Sequence, residues 1–341
     1  TSVPPKMNGF KYVTFGVFPQ TIMAEGVKVA DGSKDVNGGV AIKNDEILGA
    51  DYYLGSDGNW YAKALEYSEA SDEQNTAVEY KYSDGTTVAK VSENSFRYFK
   101  VEPIVWRVLT YNNNRYMLLS EKGLTANISF YGMGPAYSTD RKLNETRIAE
   151  TNYKYSNVRA YLNGINNQLI TDGGTVGSND VNFCIDWTGK GFLQQAFTAN
   201  QQAKIQETTV DYNVAFTEDM DEDNNWYLIP EEDVQGENTE DKLFLLSINE
   251  VSDSEYGFLG NDIRDDRYYI RDDRNRARCA TDFALANRSN PDRWMLRSTS
   301  GTESVYYIGK GVDEMIYFSR YAMAPSQSYS IVPALWVEIP Q

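Results

Sequence analysis

Alternating apolar and polar residues predict β-strands near both ends of the chain, and helix-like spacing of apolar residues occurs between them. The first strand is expected around Val13 and should end near Gly16 or Pro19. Towards the other end, strand patterns occur in RWMLRS, SVYYIGKG, MIYFSRYAM and SIVPALWVEI. Strands at both ends with helices between them predict an α+β fold. No linker-like stretch divides the chain, so one elaborated domain spanning residues 1–341 is expected.

Short polar stretches predict the turns of the N-terminal half. Asp57-Gly58 lies between two aromatic stretches, which is a strong hairpin signal. A second Asp-Gly pair follows at Asp84-Gly85, and residues 112–114 are three consecutive Asn residues between two apolar stretches. Because Asn tolerates the left-handed backbone geometry of tight turns, this last stretch predicts a strand, turn and strand.

Helix ends are marked by capping residues. The stretch YSNVRAYLNGI has Ser156 as N-cap and Gly164 as C-terminal stop. Apolar residues four apart predict a second helix in GKGFLQQAFTANQQAKI. Ser247 and Glu250 have the spacing of a capping box and predict a turn or short helix, and Thr281 is expected to cap another short helix.

The composition is that of a globular chain, with 41% hydrophobic and 24% charged residues. No apolar stretch is long enough to span a membrane. The net charge of −17 disfavours nucleic acid and anionic lipid surfaces as partners, because proteins that bind them present basic faces. The chain has no His, which removes the commonest general base and excludes a Ser–His–Asp triad. Composition therefore disfavours an enzyme.

The stretch EDMDEDNNW contains the strongest metal-like pattern of the chain. Asp219, Asp221 and Asp223 alternate as the first three ligands of a calcium loop do. The pattern then fails, because Asn224 stands where Gly is needed and Pro230 stands where a bidentate Glu is needed. The two interpretations are a weak calcium site and a solvated acidic loop, and the second is favoured, with no cofactor required.

Two other groups of residues have competing interpretations. The motif Ile-Arg-Asp-Asp-Arg occurs at residues 263–267 and again at 270–274. It predicts either anion recognition by Arg or an exposed, self-paired ion network, and the network is favoured. Cys184 and Cys279 are either one disulfide or two separate buried thiols, and separate buried thiols are favoured.

Several stretches occur together in an order that is specific when taken jointly. They are YVTFGVFPQT, FKVEPIVWRVL, YSNVRAYLNGI, FLQQAF, DKLFLLSINEV, TDFALAN and a closing WMLRS…IVPALWVEI. This set resembles a family of bacterial extracytoplasmic domains of unassigned activity, with a closing W-x-L-R-S…V-x-P-A-L-W pattern. Within that family it is most similar to Treponema proteins that include the variable lipoprotein of a diversity-generating retroelement. Thr299 and Val332 depart from the usual Pro and Arg.

The resemblance implies a fold, a function and a location. The implied fold is C-type lectin-like, of the formylglycine-generating-enzyme type, without the cysteine-based copper site of those enzymes. The implied function is binding of a protein or glycan ligand by a hypervariable segment at about residues 293–330, diversified by a retroelement and without enzymatic activity. The implied location is the cell surface, outer membrane or periplasm. There a lipid anchor upstream of Thr1 would hold the lipoprotein peripherally at the membrane.

The stretch EMIYFSRYAMAPSQSYS has the Tyr, Ser, Arg and Met content of an adaptable recognition surface. Side chains alternate along a strand, so one face of this segment is expected to be exposed. The predicted ligand-binding residues are Tyr306, Tyr307, Tyr317, Ser319, Tyr321, Met323, Ser326, Gln327 and Ser328. The frame around them is expected to be core, through Trp294, Leu296, Leu335 and Trp336. In the alternative interpretation, the aromatic residues of the segment simply pack a β-rich core.

Three functions follow from these observations. The first is a surface-displayed binding protein, the second is a hydrolase that uses paired carboxylates, and the third is a structural envelope protein without a specific ligand. The missing His disfavours the second function. Substitutions in sibling genes that concentrate between Thr299 and Ser330 would favour the first function over the third.

Overall fold

The computed structural model shows a protein built mainly from antiparallel β-sheets. Among the described residues, no helix is long and apolar enough to cross a membrane. The described residues are 10–30, 52–66, 80–88, 96–128, 130, 141–143, 146–147, 151–166, 170–171, 186–212, 215–223, 225–231, 236–264, 267–269, 271–287, 290–300, 304–310, 316–322 and 329–338.

The strands and helices are short, apart from two long N-terminal strands. The strands are β1 Lys11–Ile22, β2 Val29–Ala30, β3 Tyr52–Gly55, β4 Trp60–Leu65, β5 Phe96–Asn112, β6 Arg115–Ser120, β7 Arg141–Leu143, β8 Thr146–Arg147, β9 Ile170–Thr171, β10 Ile205–Gln206, β11 Thr208–Val210, β12 Ala215–Met220, β13 Trp226–Glu231, β14 Thr239–Asp241, β15 Leu243–Phe244, β16 Asp262–Arg264, β17 Arg267–Tyr269, β18 Arg293–Ser300, β19 Ser304–Lys310, β20 Ile316–Ala322 and β21 Ala334–Glu338. The α-helices are α1 Asn157–Asn163, α2 Phe192–Ala196, α3 Ala199–Lys204 and α4 Asp282–Ala286, and 3₁₀ turns occur at Tyr153–Tyr155, Glu250–Ser252, Ser254–Tyr256 and Arg274–Arg276.

The expected α+β fold of the C-type lectin-like type is wrong. Every strand pairing in the described sheets is antiparallel, and none of the four described α-helices exceeds seven residues. The predicted helix in GKGFLQQAFTANQQAKI forms two short helices instead. They are separate because the Thr198 side chain accepts a hydrogen bond from the Gln201 N–H and so starts α3 as a new helix. The result is a mainly β protein that shows no C-type lectin fold.

The largest sheet joins both ends of the chain. Its strand order is β10-β21-β6-β5-β4-β3-β2, with β1 added on β5 and β15 added on β21. The first strand, β1, and the last strand, β21, therefore belong to one sheet and are separated by β5 and β6. Two smaller sheets have the orders β11-β14 and β8-β7-β9.

Strand β1 continues past both residues at which the sequence predicted its end. Gly16 has φ +74° and lies in a bulge between Thr14 and Val17, where a Cβ would come within 2.6 Å of the Phe197 ring. Because β1 pairs only with β5 among the described strands, Pro19 costs no ladder hydrogen bond on its outer edge. The glycine bends the strand around α2, and the proline is tolerated.

The predicted turns and caps are confirmed. The Asp57-Gly58 turn joins β3 to β4, and residues 112–114 join β5 to β6, with positive φ at Asn113 and Asn114. The Ser156 side chain caps α1, and Gly164 ends that helix in the left-handed conformation. The remaining predicted signals also form, namely the turn at Asp84-Gly85, the capping box of Ser247 and Glu250, and the Thr281 cap of α4.

Two sheets near the C-terminus lie against each other. One is the three-stranded sheet β18-β19-β20, and the other is the four-stranded sheet β12-β13-β17-β16. The Tyr306 hydroxyl on β19 donates to the Phe216 carbonyl on β12 over 3.1 Å. The backbone N–H of Ile316, at the start of β20, donates to Asp272 Oδ1 over 2.9 Å, just beyond β17. These contacts make the two sheets neighbours. The candidate functional site lies on the four-stranded sheet.

Candidate functional site

The frame around the predicted recognition segment is mostly core, as expected. Trp294, Leu296 and Leu335 are fully buried. The Trp294 indole N–H donates to the Arg276 carbonyl over 3.0 Å. Trp336 differs from the expectation, because it lies on β21 with its side chain only partly buried against the core. Three of the four frame residues therefore anchor the segment.

The expectation that Tyr306 and Tyr307 are exposed is wrong. Tyr306 has 0% and Tyr307 has 6% of its surface exposed. Adjacent residues of a strand point to opposite faces, so burial of both means that β19 is covered on both sides. Tyr306 faces the four-stranded sheet, and Tyr307 stacks on Tyr329 with ring centroids 4.4 Å apart. In β19, the alternative interpretation of aromatic residues as core is the correct one.

The backbone of β20 is described, but its central side chains are not. The register pairs Tyr317 with Gly309, Ser319 with Tyr307 and Tyr321 with Val305. The predicted exposure of those three side chains lies outside the described part of the structure, as do the other predicted ligand-binding residues, Met323, Ser326, Gln327 and Ser328.

Both ends of the segment are held by the frame. At one end, Ile316 is bonded to Asp272. At the other end, the Ser330 N–H and hydroxyl both donate to the Arg293 carbonyl, and the Met295 N–H donates to the Ser330 carbonyl. Ile316 and Ser330 are therefore both hydrogen-bonded to residues outside the segment that follows β19.

The acidic stretch forms the hairpin turn between β12 and β13. Asp221 Oδ1 accepts hydrogen bonds from the backbone N–H groups of Asp223 and Asn225 over 3.0 and 2.8 Å. Asp219 Oδ2 accepts from the Tyr227 hydroxyl over 3.0 Å. The carboxylates of Asp219 and Asp221 therefore organise the turn.

Hydrogen bonds also set the ionisation of these two carboxyl groups. The Met220 backbone N–H, followed by the Tyr227 hydroxyl, lowers the pKa of Asp219. The Asn225 backbone N–H lowers the pKa of Asp221. Both groups are thus charged at neutral pH. Among the described residues, no three His, Cys, Asp or Glu side chains are placed to share a metal ion.

A group of apolar side chains is exposed at the turn end of this hairpin and on the neighbouring strands. Trp226 is 60% exposed and Met220 is 43% exposed, and the two are directly paired across β12 and β13. Ile263, which is 58% exposed, pairs with Tyr268, and Tyr268 pairs with Leu228. Directly paired side chains share one face of a sheet, so these residues lie on the same face. We name Met220, Trp226, Tyr268 and Ile263 the hairpin patch.

The inner end of that same face is core. Phe216 and Leu228 are buried there, and the Phe216 ring contacts Tyr268 edge-on with centroids 5.8 Å apart. The hairpin patch is thus the solvent-exposed continuation of a packed sheet face. The packed part of the sheet therefore positions the backbone that bears the exposed Trp226.

The opposite face of the four-stranded sheet is polar and aromatic. The Arg267 guanidinium lies 4.7 Å from the Tyr227 ring centroid, and Arg264 lies 5.2 Å from that of Tyr269. Arg264 also pairs with Asp262 over 2.5 Å. The cations of this sheet therefore lie on the face away from the hairpin patch.

The Arg-rich stretch at residues 263–278, which contains the two copies of the repeat, is only partly the exposed ion network that the sequence favoured. Arg276 is fully buried and donates to the carbonyl groups of Val251, Arg271 and Leu259. Burial lowers the pKa of Arg276 to about 10. Arg278 is also buried and donates to the Ser120 carbonyl. These two residues hold loops together through backbone carbonyls, which charge balance alone does not predict.

A protein-family model matches a defined part of this chain. A family model described as "Domain of unknown function (DUF6273)" matches residues 113–339. This match covers more than half of the chain. The chain is a DUF6273 protein. No curated protein and no solved structure matches it. The DUF6273 region contains both C-terminal sheets and the hairpin patch, whereas β1 to β5 precede it.

A cleft of about 390 Å³ also lies within the DUF6273 region, and Lys154, Arg159 and Thr188 are among its lining residues. Lys154 pairs with Glu237, and Arg159 Nε lies 2.8 Å from Asp241 Oδ1. Both cations of the cleft are therefore already paired with carboxylates of the same chain. This pairing leaves the hairpin patch as the stronger candidate site.

The cysteines do not add a site. Cys279 is an exposed free thiol, 3.9 Å from Asp292 Oδ1. Cys279 is therefore neither disulfide-bonded nor the buried thiol that was expected, and Cys184 lies outside the described residues.

The hairpin patch was not predicted from the sequence, because only the carboxylates of EDMDEDNNW were considered as candidate functional groups. Met220 and Trp226 flank the polar residues of the turn and are the only large apolar side chains there. If the stretch had been predicted to form a β-hairpin, Met220 and Trp226 would have been expected to pair across the turn.

Proposed function

We propose that this chain is a ligand-binding protein that recognises a protein or a glycan through two parts of its surface. The first is the hairpin patch, and the second is the segment at residues 311–329 that contains β20, which we name the β20 segment. The observation that carries the proposal is the exposure of Trp226 beside Met220 at the end of a sheet face that is otherwise packed. Exposed apolar side chains that are grouped together often mark an interaction site. Trp is also enriched among residues that dominate binding energy.

The local structure supports a recognition role for Trp226. The turn that precedes it is organised by Asp221, and the sheet beneath it is packed through Phe216 and Leu228. A backbone that is already ordered by hydrogen bonds loses little conformational entropy when a ligand binds. Trp226 is thus suited to contact a ligand.

The β20 segment is the second part of the proposal. It joins the four-stranded sheet through Asp272 and Ile316. Burial of β18 and β19 supports a narrower variable segment than residues 293–330, because substitutions in those strands would disturb the core. Variation that is tolerated by the fold is therefore expected at residues 311–315 and 317–328, because Ile316 and Tyr329 are buried. Sequences of sibling genes test this part, and evenly scattered substitutions would contradict it.

Display of the protein as a cell-surface lipoprotein, and diversification by a retroelement, remain proposals drawn from the sequence resemblance. Metabolic labelling of the full-length gene product with a radioactive fatty acid tests the lipid anchor. An unlabelled product would refute that part and leave ligand binding untouched.

The binding function is tested by screening a glycan array and a displayed peptide library. The screened proteins are the wild type, Met220→Ser, Trp226→Ser and the matched control Phe96→Ser. Phe96 is 53% exposed on the nine-stranded sheet, so its replacement removes comparable exposed apolar surface elsewhere. We expect ligands of the wild type to be lost with Trp226→Ser and retained with Phe96→Ser. If every ligand binds both variants equally, the hairpin patch is not the binding site.

A further inference from the structure

We infer that the ligand of the hairpin patch is a basic, amphipathic polypeptide segment. This inference rests on the proposed binding function and specifies the chemical class of its ligand. The partner would place apolar side chains on Met220 and Trp226 and its Lys or Arg side chains against the acidic rim of the hairpin.

The apolar part of the surface fits alternating side chains of a polypeptide. Met220 and Trp226 lie side by side across the two strands, and Tyr268 connects them to Ile263 on the same face. An unbranched thioether beside an indole accommodates aliphatic side chains of different shapes. The Trp face also attracts a cation placed above it.

The charged part of the surface is acidic on the side that a partner would meet. Residues 218–223 read Glu-Asp-Met-Asp-Glu-Asp. Glu218 lies two residues before Met220 and therefore shares the face of the hairpin patch, whereas Asp219 lies on the opposite face with Tyr227. Glu222 and Asp223 are exposed at the tip of the turn. The nearby cations, Arg264 and Arg267, lie on the opposite face, where they cover Tyr269 and Tyr227.

Charge also distinguishes this partner from the other occupants of such a surface. A second copy of the chain would bring two acidic hairpins together in a protein of net charge −17. Like charges that face each other across an interface cost several kcal/mol. Nucleic acid and anionic lipid are repelled for the same reason. A neutral glycan would stack on Trp226 and could donate its hydroxyls to the carboxylates, but it would leave the aliphatic side chains uncovered and the carboxylate charge uncompensated. A basic polypeptide uses the indole, the aliphatic side chains and the carboxylate charge.

The test measures binding of three short synthetic peptides by isothermal titration calorimetry at low and physiological salt. The first peptide alternates Lys and Leu, the second alternates Lys and Ser, and the third alternates Glu and Leu. The protein variants are Trp226→Ser and the double variant Glu222→Gln/Asp223→Asn. The matched controls are Phe96→Ser and the double variant Glu25→Gln/Glu338→Gln, which removes two exposed carboxylates of other regions. Circular dichroism melts check that every variant is folded.

We expect the Lys-Leu peptide to bind the wild type most tightly. Each hairpin variant should weaken that binding about tenfold or more, which corresponds to about 1.4 kcal/mol. Both control variants should stay within about twofold of the wild type, because exposed positions outside a binding site contribute little. The two hairpin variants act independently, so the result does not depend on the folding of either one.

Three results would overturn the inference. Equal binding of the Lys-Leu peptide to all variants would show a non-specific charge effect. Trp226-dependent binding of the Glu-Leu peptide, or of a glycan in the array, would refute a basic ligand while the proposed binding function stands. If no peptide and no glycan depends on Trp226, both the inference and the proposed binding site fail.

Discussion

The three-stranded sheet and the four-stranded sheet contain similar aromatic residues but use them differently. In the three-stranded sheet, Trp294 and Tyr306 are fully buried, and their polar atoms donate to the carbonyl groups of Arg276 and Phe216. In the four-stranded sheet, Trp226 is largely exposed, and the Tyr227 hydroxyl bonds to the exposed carboxylate of Asp219. The first sheet acts as core, whereas the second provides a surface.

This difference shows that aromatic content alone does not identify a binding face. Strand β19 is covered on one face by β12, which Tyr306 contacts, and on the other face by Tyr329, which stacks on Tyr307. The β12–β13 hairpin extends beyond the region where the sheets contact each other, so the last cross-strand pair is in solvent. Position relative to the neighbouring sheet decides the role of each ring.

The largest expected difference is between two Trp residues. Trp294→Ala should lower the free energy of unfolding by about 3–5 kcal/mol through the cavity it creates. Loss of the hydrogen bond to the Arg276 carbonyl adds a further cost of about 0.5–1.5 kcal/mol. Trp226→Ala should change it by about 0.5 kcal/mol or less, because exposed positions tolerate substitution. Urea unfolding of both variants measures the difference. Similar losses for the two variants would show that Trp226 is core, and the hairpin patch would then not exist.

A similar contrast is expected for two Arg residues. Arg297 is buried on β18, pairs with Glu250 and donates to the Leu245 carbonyl over 2.6 Å. Arg297→Ala should cost about 1.5–3 kcal/mol, because it removes charged hydrogen bonds to Glu250 and to the Leu245 carbonyl while Ser247 still donates to Glu250. Arg264→Ala removes an exposed pair with Asp262 and should leave the unfolding midpoint almost unchanged. Urea titrations check both variants, and a large loss for Arg264→Ala would mean that the four-stranded sheet depends on its surface charges.

A smaller effect is expected when a single hydroxyl is removed from each sheet. Tyr306→Phe leaves the buried Phe216 carbonyl without its donor and should cost about 1–3 kcal/mol. Tyr227→Phe leaves Asp219 accessible to water, which replaces the lost donor, so little change is expected. Thermal melts compare the two variants at one pH. An unchanged melt for Tyr306→Phe would show that the hydrogen bond between the two sheets does not support their packing.

The sequence predicts the local features of this fold well, because each depends on neighbours only a few residues away. The Ser156 and Thr281 caps, the left-handed Gly164 and the Ser247–Glu250 capping box all form as expected. The strand patterns after Trp294 also form strands. The sequence did not predict the proportion of helix to strand. The helices between those strands are too short to make an α+β protein.

Long-range pairing explains most of the remaining errors. Strand β1 passes Gly16 and Pro19 because β5, about 80 residues later, supplies its hydrogen bonds. The burial of Tyr306 depends on Phe216, 90 residues earlier in the chain. Neither contact leaves a periodic signal in the local sequence. The candidate site was missed for a related reason, since Trp226 is exposed only because its hairpin extends past the neighbouring sheet.

The smallest expected effect concerns the turn that positions Trp226. The pKa of Asp221 is lowered in the folded protein by the Asn225 backbone N–H. A carboxyl group with a depressed folded pKa stabilises the turn above its ordinary pKa of about 3.9 and loses that effect as the pH falls through the folded pKa. In acid, the protection factors of the Asp223 and Asn225 amide protons, relative to an unstructured peptide at the same pH, should therefore fall, and their NMR signals should shift. Asp221→Asn keeps a side-chain oxygen that accepts these bonds and should preserve the turn without the pH dependence. Asp221→Ala removes the acceptor and should loosen the turn at every pH. If Asp221→Ala leaves the amide protons and the Trp226 indole signal unchanged, the turn does not depend on Asp221, and the sheet alone positions the exposed Trp.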